Sequence, residues 1–153
     1  MEFGILYSSF IFVLIVAVTV FKGVKIVPQG SKWVIQRLGK YSSTLNPGLN
    51  FIVPYFDRVA YKVTTKDIVL DIPSQDVITK DNVVIIANAV AFINIVHPEK
   101  AVYGVENYII AIQNLVQTSL RSIIGEMQLD DALSSRDAIK ATLKASISDD
   151  ISD

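Results

Sequence analysis

Residues 3–21 read FGILYSSFIFVLIVAVTVF, nineteen residues from Phe3 to Phe21 without a charge. As a helix rising about 1.5 Å per residue, the run is ~28 Å long, close to the ~30 Å hydrocarbon core of a bilayer. Ser8, Ser9 and Thr19 are compatible with insertion, because their hydroxyls can bond back to the helix backbone. The run has no polar face, which argues against a helix lining a water-soluble core. A cleaved signal peptide calls for a basic start and a small-residue cleavage site. Here the chain opens Met1-Glu2, and the run leads into Phe21-Lys22-Gly23-Val24-Lys25. Residues 1–22 are therefore expected to form an uncleaved transmembrane anchor. Lys22, Lys25 and Lys32 follow it, whereas only Glu2 and the amino terminus precede it. The positive-inside rule then places the N-terminus outside and the rest in the cytoplasm.

Outward from the anchor, charge is split. Lys22 to Lys66 holds eight Lys/Arg against one acid, Asp57; Asp67 to Asp153 holds six against thirteen. A basic region thus lies beside the membrane and an acidic one further along. The 153 residues suit one modest domain besides the anchor. The absence of Cys excludes disulfides, thiolate metal sites, Cys nucleophiles and S-palmitoylation.

Val24–Val27 and Lys32–Leu38 read as strands around the Pro28-Gln29-Gly30 turn, and Asn46-Pro47-Gly48 signals another turn. Val59–Thr64 and Ile68–Ile72 follow as strands, with Pro73 ending the second or marking an edge. Asp76–Thr79 is a further strand candidate, and Lys80-Asp81-Asn82 a tight turn. Val83–Ile95 is the clearest strand. Its odd positions are all apolar, so one face is expected to be buried and the other at least partly covered. Beyond His97-Pro98 the period turns helical. Pro98–Gly104 reads as a short helix, and Asn107 as the cap of a helix to about Gly125. Ile109, Ile112, Val116, Leu120, Ile123 and Met127 form its apolar stripe, with Gln113, Asn114, Gln117 and Arg121 largely opposite. A last helix is expected from about Ser134, with Ser134 and Asp137 spaced like a capping box, and Ile139, Leu143, Ile147 and Ile151 four apart. The sum is an α+β fold: a transmembrane helix, a small, mostly antiparallel sheet and packed helices.

Five segments in unbroken order carry a resemblance: KIVPQG (Lys25–Gly30), QRLGKY (Gln36–Tyr41), NPGLNFIVPYFDRV (Asn46–Val59), VLDIPSQDVITKDNV (Val69–Val83) and NYIIAIQNLVQTSLRSIIGEMQLDDALSSRD (Asn107–Asp137). The chain resembles the stomatin/prohibitin/flotillin/HflK-HflC (SPFH) superfamily, and its stomatin-like (paraslipin) members above all. The resemblance implies an SPFH domain of curved antiparallel strands plus helices lying against a membrane. It also implies a scaffold without a catalytic site, assembling into rings or cages that organise lipids and hold membrane partners, notably membrane proteases and channels. Expected domains are an anchor over 1–22, a membrane-proximal β-rich part over 23–98 and a helical part over 99–153. The family continues with a Trp-Gly-Ile strand and a charged coiled coil, so the chain is expected to stop short of that coiled coil. His97 stands where the family usually has Asp before Pro, a poorer helix cap.

Leu49, Phe51, Ile52, Val53, Pro54, Tyr55 and Phe56 are the candidate membrane-contact residues, by their apolar character and by the resemblance; the alternative is a buried hairpin core. Lys22, Lys25, Arg58 and Lys62 flank that patch and are the candidate headgroup contacts. With Lys32, Arg37, Lys40 and Lys66, they are equally readable as a solvated strand face. Trp33 and Tyr41 suit either the interface or a strand core. Nothing surrounds His97, the single histidine, that would make it a catalytic base. Asp130, Asp131, Asp137, Asp149 and Asp150 read as solvated helix-start charges. No catalytic residue, cofactor or metal is expected, and no nucleic-acid partner. Expected partners are membrane lipids, further copies of the chain, and a membrane protease or other membrane protein. The expected location is a bacterial inner membrane, or alternatively a mitochondrial one. Against the scaffold stand an accessory regulator of a membrane protease and, further off, an anchored hydrolase.

Overall fold

The apolar run forms one unbroken helix, α1 (Glu2–Gly23), in a computed structural model that describes residues 2–151. Met1, Ser152 and Asp153 lie outside the described residues, as do the side chains of Glu2, Phe3, Ile5, Asp149, Asp150 and Ile151. The acidic pair Asp149-Asp150 and the last residue of the four-apart row fall there. Of the span Leu6–Gly23, 6% is buried by the rest of the chain. Thr19 donates its hydroxyl to the Ile15 carbonyl at 2.8 Å, so this polar side chain is satisfied within the helix.

The chain divides into two compact units interleaved in sequence. The first, residues 1–66 and 94–104, contains α1, five strands and a short helix. β1 (Val24–Val27) pairs antiparallel with β4 (Gly48–Phe51). β2 (Ser31–Arg37) is the centre of a second sheet, between β3 (Lys40–Leu45) and β5 (Asp57–Thr64). Leu38 and Gly39 connect β2 to β3, with φ of 51° and 86°. Positive φ at both loop positions matches the right-handed twist of the strands, as in type I′ hairpins, and at Leu38 it costs about 1 kcal/mol of backbone strain. Val27, Ile35 and Leu45 form the buried core, with Trp33, Ile52 and Val59 packed against it. On the other face of the sheet lies α2 (Pro98–Gly104). Its Tyr103 meets Tyr41 and Tyr61 edge-on, at centroid separations of 6.0 and 5.7 Å, and accepts a 2.8 Å bond from Gln36.

The second unit, residues 67–93 and 105–153, is a long hairpin under helices. β6 (Ile68–Ile78) pairs with β7 (Val84–Ile93). Pro73 does not end its strand: a register shift between Ile72 and Gln75 takes the proline into a bulge, where its missing N–H costs no ladder bond. The shift turns Gln75 inward, where it accepts from Arg121 at 2.7 Å and donates to the Gln117 carbonyl at 3.0 Å. Two residues of the polar side of α3 (Tyr108–Gly125), Gln117 and Arg121, thus meet the strand rather than solvent alone. Asn107 caps α3 as expected, its side chain accepting from Ile110 N at 3.2 Å. Two cores result. Val77, Ala87, Leu120 and Ile124 form one, and Leu70, Ile72 and Val116 the other.

Two expectations need correction here. Ser134 does not open the last helix; it closes α4 (Leu129–Ser134), its hydroxyl donating to the Asp130 carbonyl at 2.6 Å. The last helix, α5, is Arg136–Ile151. The outer face of β7 is also not covered: Val84, Ile86, Val90 and Phe92 are exposed, because helices pack on one side of the hairpin only.

A candidate membrane-contact face

At its C-terminal end α1 runs directly into β1, and alternation along β1 decides what faces outward. Val27 points into the core, so Val24 and Ile26 point away from it. Register places Ile26 opposite Leu49 and Val24 opposite Phe51, so all four share one face. Ile26, Leu49 and Phe51 are 70%, 63% and 69% exposed. An apolar face left this bare, one residue beyond a membrane-length helix, asks for a non-aqueous cover.

The segment after β4 is tied to the helix exit. Ile52 N donates to the Gly23 carbonyl at 2.8 Å. The approach is so close that a Cβ on Gly23 would lie 2.8 Å from the Ile52 oxygen. Beyond it, residues 53–57 close a turn around Asp57. Its backbone N–H donates to the Val53 carbonyl at 2.9 Å, and its carboxylate accepts from Val53 N at 2.9 Å and from Arg37 at 2.6 and 3.0 Å. The Arg37 hydrogen bonds hold the Asp57 carboxyl below its ordinary range, and Asp57 raises Arg37 in return. The turn presents Val53, Tyr55 and Phe56 outward, Tyr55 with φ of 74°. Leu38 N donates to the Phe56 carbonyl at 3.2 Å, which joins the β2–β3 tip to the turn. Leu38 is 79% exposed.

Of the seven candidate apolar residues, Leu49, Phe51, Val53, Tyr55 and Phe56 are exposed, while Ile52 and Pro54 are half-buried, Ile52 against the core. The basic candidates do not gather at one point. Lys22 lies over the Tyr55 ring, 5.6 Å from its centroid. Lys62 lies over Trp33, 4.5 Å from its centroid, whereas Arg58 bonds Gln36 on the α2 face of the sheet. Lys25 stands opposite Asn50, on the side of the β1–β4 pair away from Ile26. Ile26 and Leu38 belong to the exposed apolar set although neither stood out in the sequence. The register of β1 with β4 reveals the first, and the positive-φ turn the second.

His97 sits beside α2, in a groove of about 440 Å³ lined with Lys32, Ser42, Ser43 and Thr44 among others. Its Nδ1 is 3.5 Å from Glu99, whose carboxylate also accepts from Thr44 at 3.2 Å. Among the described residues no group of three or more His, Cys, Asp or Glu is placed to hold a metal.

Known proteins are similar to this chain in sequence. The SPFH domain / Band 7 family matches residues 25–153. An uncharacterized protein of Methanothermobacter thermautotrophicus is 43% identical over 134 residues, 88% of this chain and 42% of that protein. An uncharacterized protein of Mycobacterium tuberculosis is 38% identical over 134 residues, 88% of this chain and 35% of that protein. Human mitochondrial stomatin-like protein 2 is 38% identical over 117 residues, 76% of this chain and 33% of that protein. The chain thus spans between 33% and 42% of the length of these relatives. With a match from Lys25 onward and stomatin-like relatives at this identity, the chain belongs to the SPFH domain / Band 7 family as a stomatin-like member.

Proposed function

We propose that this chain is a single-span scaffold whose first unit rests in the cytoplasmic leaflet beside its own anchor and which associates laterally with further copies. The observation that carries the reading is the bare face of Ile26, Leu49 and Phe51, stitched to the helix exit through Gly23 and Ile52. Residues 1–22 anchor the chain, residues 23–98 form the membrane-proximal β-rich part, and residues 99–153 the helical part. Leu49, Phe51, Ile52, Val53, Pro54, Tyr55 and Phe56 meet lipid; at ~25 cal/mol per Å², their burial contributes several kcal/mol. Of the four basic candidates, Lys22, over the Tyr55 ring, supplies the headgroup contact; Lys25, Arg58 and Lys62 do not gather with it.

Confinement to a plane raises the effective concentration of copies, so weak lateral contacts suffice for assembly into a ring or cage. Such an assembly would organise a lipid microdomain and hold membrane proteins. The membrane-length helix α1 and a mitochondrial stomatin-like relative support a membrane location. A bacterial inner membrane with the domain cytoplasmic is the primary assignment, and a mitochondrial inner membrane the other.

Extraction from native membranes in mild detergent, followed by native mass spectrometry, tests the reading. A large single-species assembly is expected. A stoichiometric protease in the complex would favour the regulator instead, and a monomer would remove the scaffold. Protease added to sealed inside-out vesicles should digest the chain beyond Lys25; protection there would reverse the topology.

A further inference from the structure

Val69, Ile78, Val84, Ile86, Val90 and Phe92 share the outer face of the β6–β7 hairpin. Val69 stands opposite Phe92 and Ile78 opposite Val84, with Ile86 and Val90 between them by alternation along β7. All six are exposed, from 58% to 74%. Two carboxylates are set among them, Asp71 opposite Val90 and Asp76 opposite Ile86. An apolar face of this extent marks an interaction surface. The carboxylates decide among occupants. An anionic bilayer surface would repel them. The same face on a second copy would add two further carboxylates and no Lys or Arg from the paired strands, and like charges at an interface are costly. A basic protein surface meets neither obstacle. The first unit of this chain carries nine Lys/Arg against three acids, while the second carries five against twelve.

We propose that the outer face of β6–β7 docks on the basic first unit of a neighbouring copy, head to tail. Contacts between two different surfaces repeat from copy to copy and build rings or filaments. The inference therefore rests on the reading of the chain as a self-associating scaffold, and it names the surfaces that associate.

The chain has no Cys, so Ile86→Cys introduces a single thiol, at an exposed position. The variant is placed in native membranes with isotope-labelled copies, its thiol carries a benzophenone maleimide, and cross-linked peptides are mapped after illumination. Labelled peptides from residues 22–66 or 94–104 are expected. Peptides from residues 67–93 or 105–153, lipid adducts or a foreign protein would overturn the proposal. So would absence of cross-links while the native assembly persists, an outcome that leaves the scaffold reading standing. Loss of all self-association in the unmodified chain would remove both. Asp71→Lys with Asp76→Lys should lower the yield about fivefold at low salt; an unchanged yield would contradict the charge pairing.

Discussion

Two strand pairs in this molecule each leave an apolar face uncovered. β1–β4 presents Ile26, Leu49 and Phe51, and β6–β7 presents Val84, Ile86, Val90 and Phe92. Both follow from the same rule: alternate residues enter a core and their neighbours face away from it. What differs is the surroundings. The first face continues from a membrane-length helix, is hydrogen-bonded to its end and has Lys22 beside it. The second carries Asp71 and Asp76 within the apolar set. Exposure of apolar side chains therefore identifies a surface that wants covering, while tether and charge indicate by what.

The comparison is broken most severely in the cores. Ile35 and Ile72 are fully buried, one in each unit. Ile35→Ala and Ile72→Ala should each cost about 2–5 kcal/mol in denaturant unfolding. Phe51→Ala and Ile86→Ala, on the uncovered faces, should stay within about 0.5 kcal/mol in detergent. Equal losses at all four would mean that the outer faces are packed in the folded chain. Gly23→Ala comes next. Ala favours a helix over Gly, yet its Cβ would meet the Ile52 oxygen, so a net loss of about 1 kcal/mol is expected. Faster hydrogen exchange of the Ile52 amide would show the stitch opening; unchanged exchange would show that the stitch does not depend on Gly23.

Smaller effects sharpen the first face alone. Leu38→Gly relieves a positive φ and should gain up to about 0.5–1 kcal/mol while removing an apolar contact with lipid. A loss of stability there would place Leu38 in packing. The smallest effect is confined to acid. The Asp57 carboxyl is lowered chiefly by its Arg37 hydrogen bonds, so its contribution is complete above the unfolded value of about 4 and fades as pH falls through the lower folded value. Asp57→Asn should flatten the fall in stability below pH ~4 and leave the neutral-pH slope unchanged; an unaltered acid profile would mean the clamp is not the titrating element.

Much of this was legible because it depends on periods and local chemistry. The uncharged run gives α1, Asn107 gives the start of α3, and the all-apolar odd positions from Val83 give β7. The polar β3, Lys40-Tyr41-Ser42-Ser43-Thr44-Leu45, shows almost no alternation because it is an edge strand with one buried residue, so only pairing with β2 reveals it. β6 was hidden by Pro73, whose bulge keeps one strand continuous through a residue that usually breaks it. At the candidate site, the segment Leu49–Phe56 was visible as composition. Ile26 was not, because its partner is fixed by a pairing 23 positions away. Lys25 and Arg58 looked like neighbours of the patch along the chain, yet strand alternation turns them to other faces.

The central claim is that the first uncovered face lies in lipid and the second does not. A nitrobenzoxadiazole label on Phe51→Cys, and separately on Ile86→Cys, in bilayers containing brominated acyl chains measures this directly. The account predicts strong quenching at position 51 and little at position 86. An unquenched label at 51, or equal quenching at both, would contradict it.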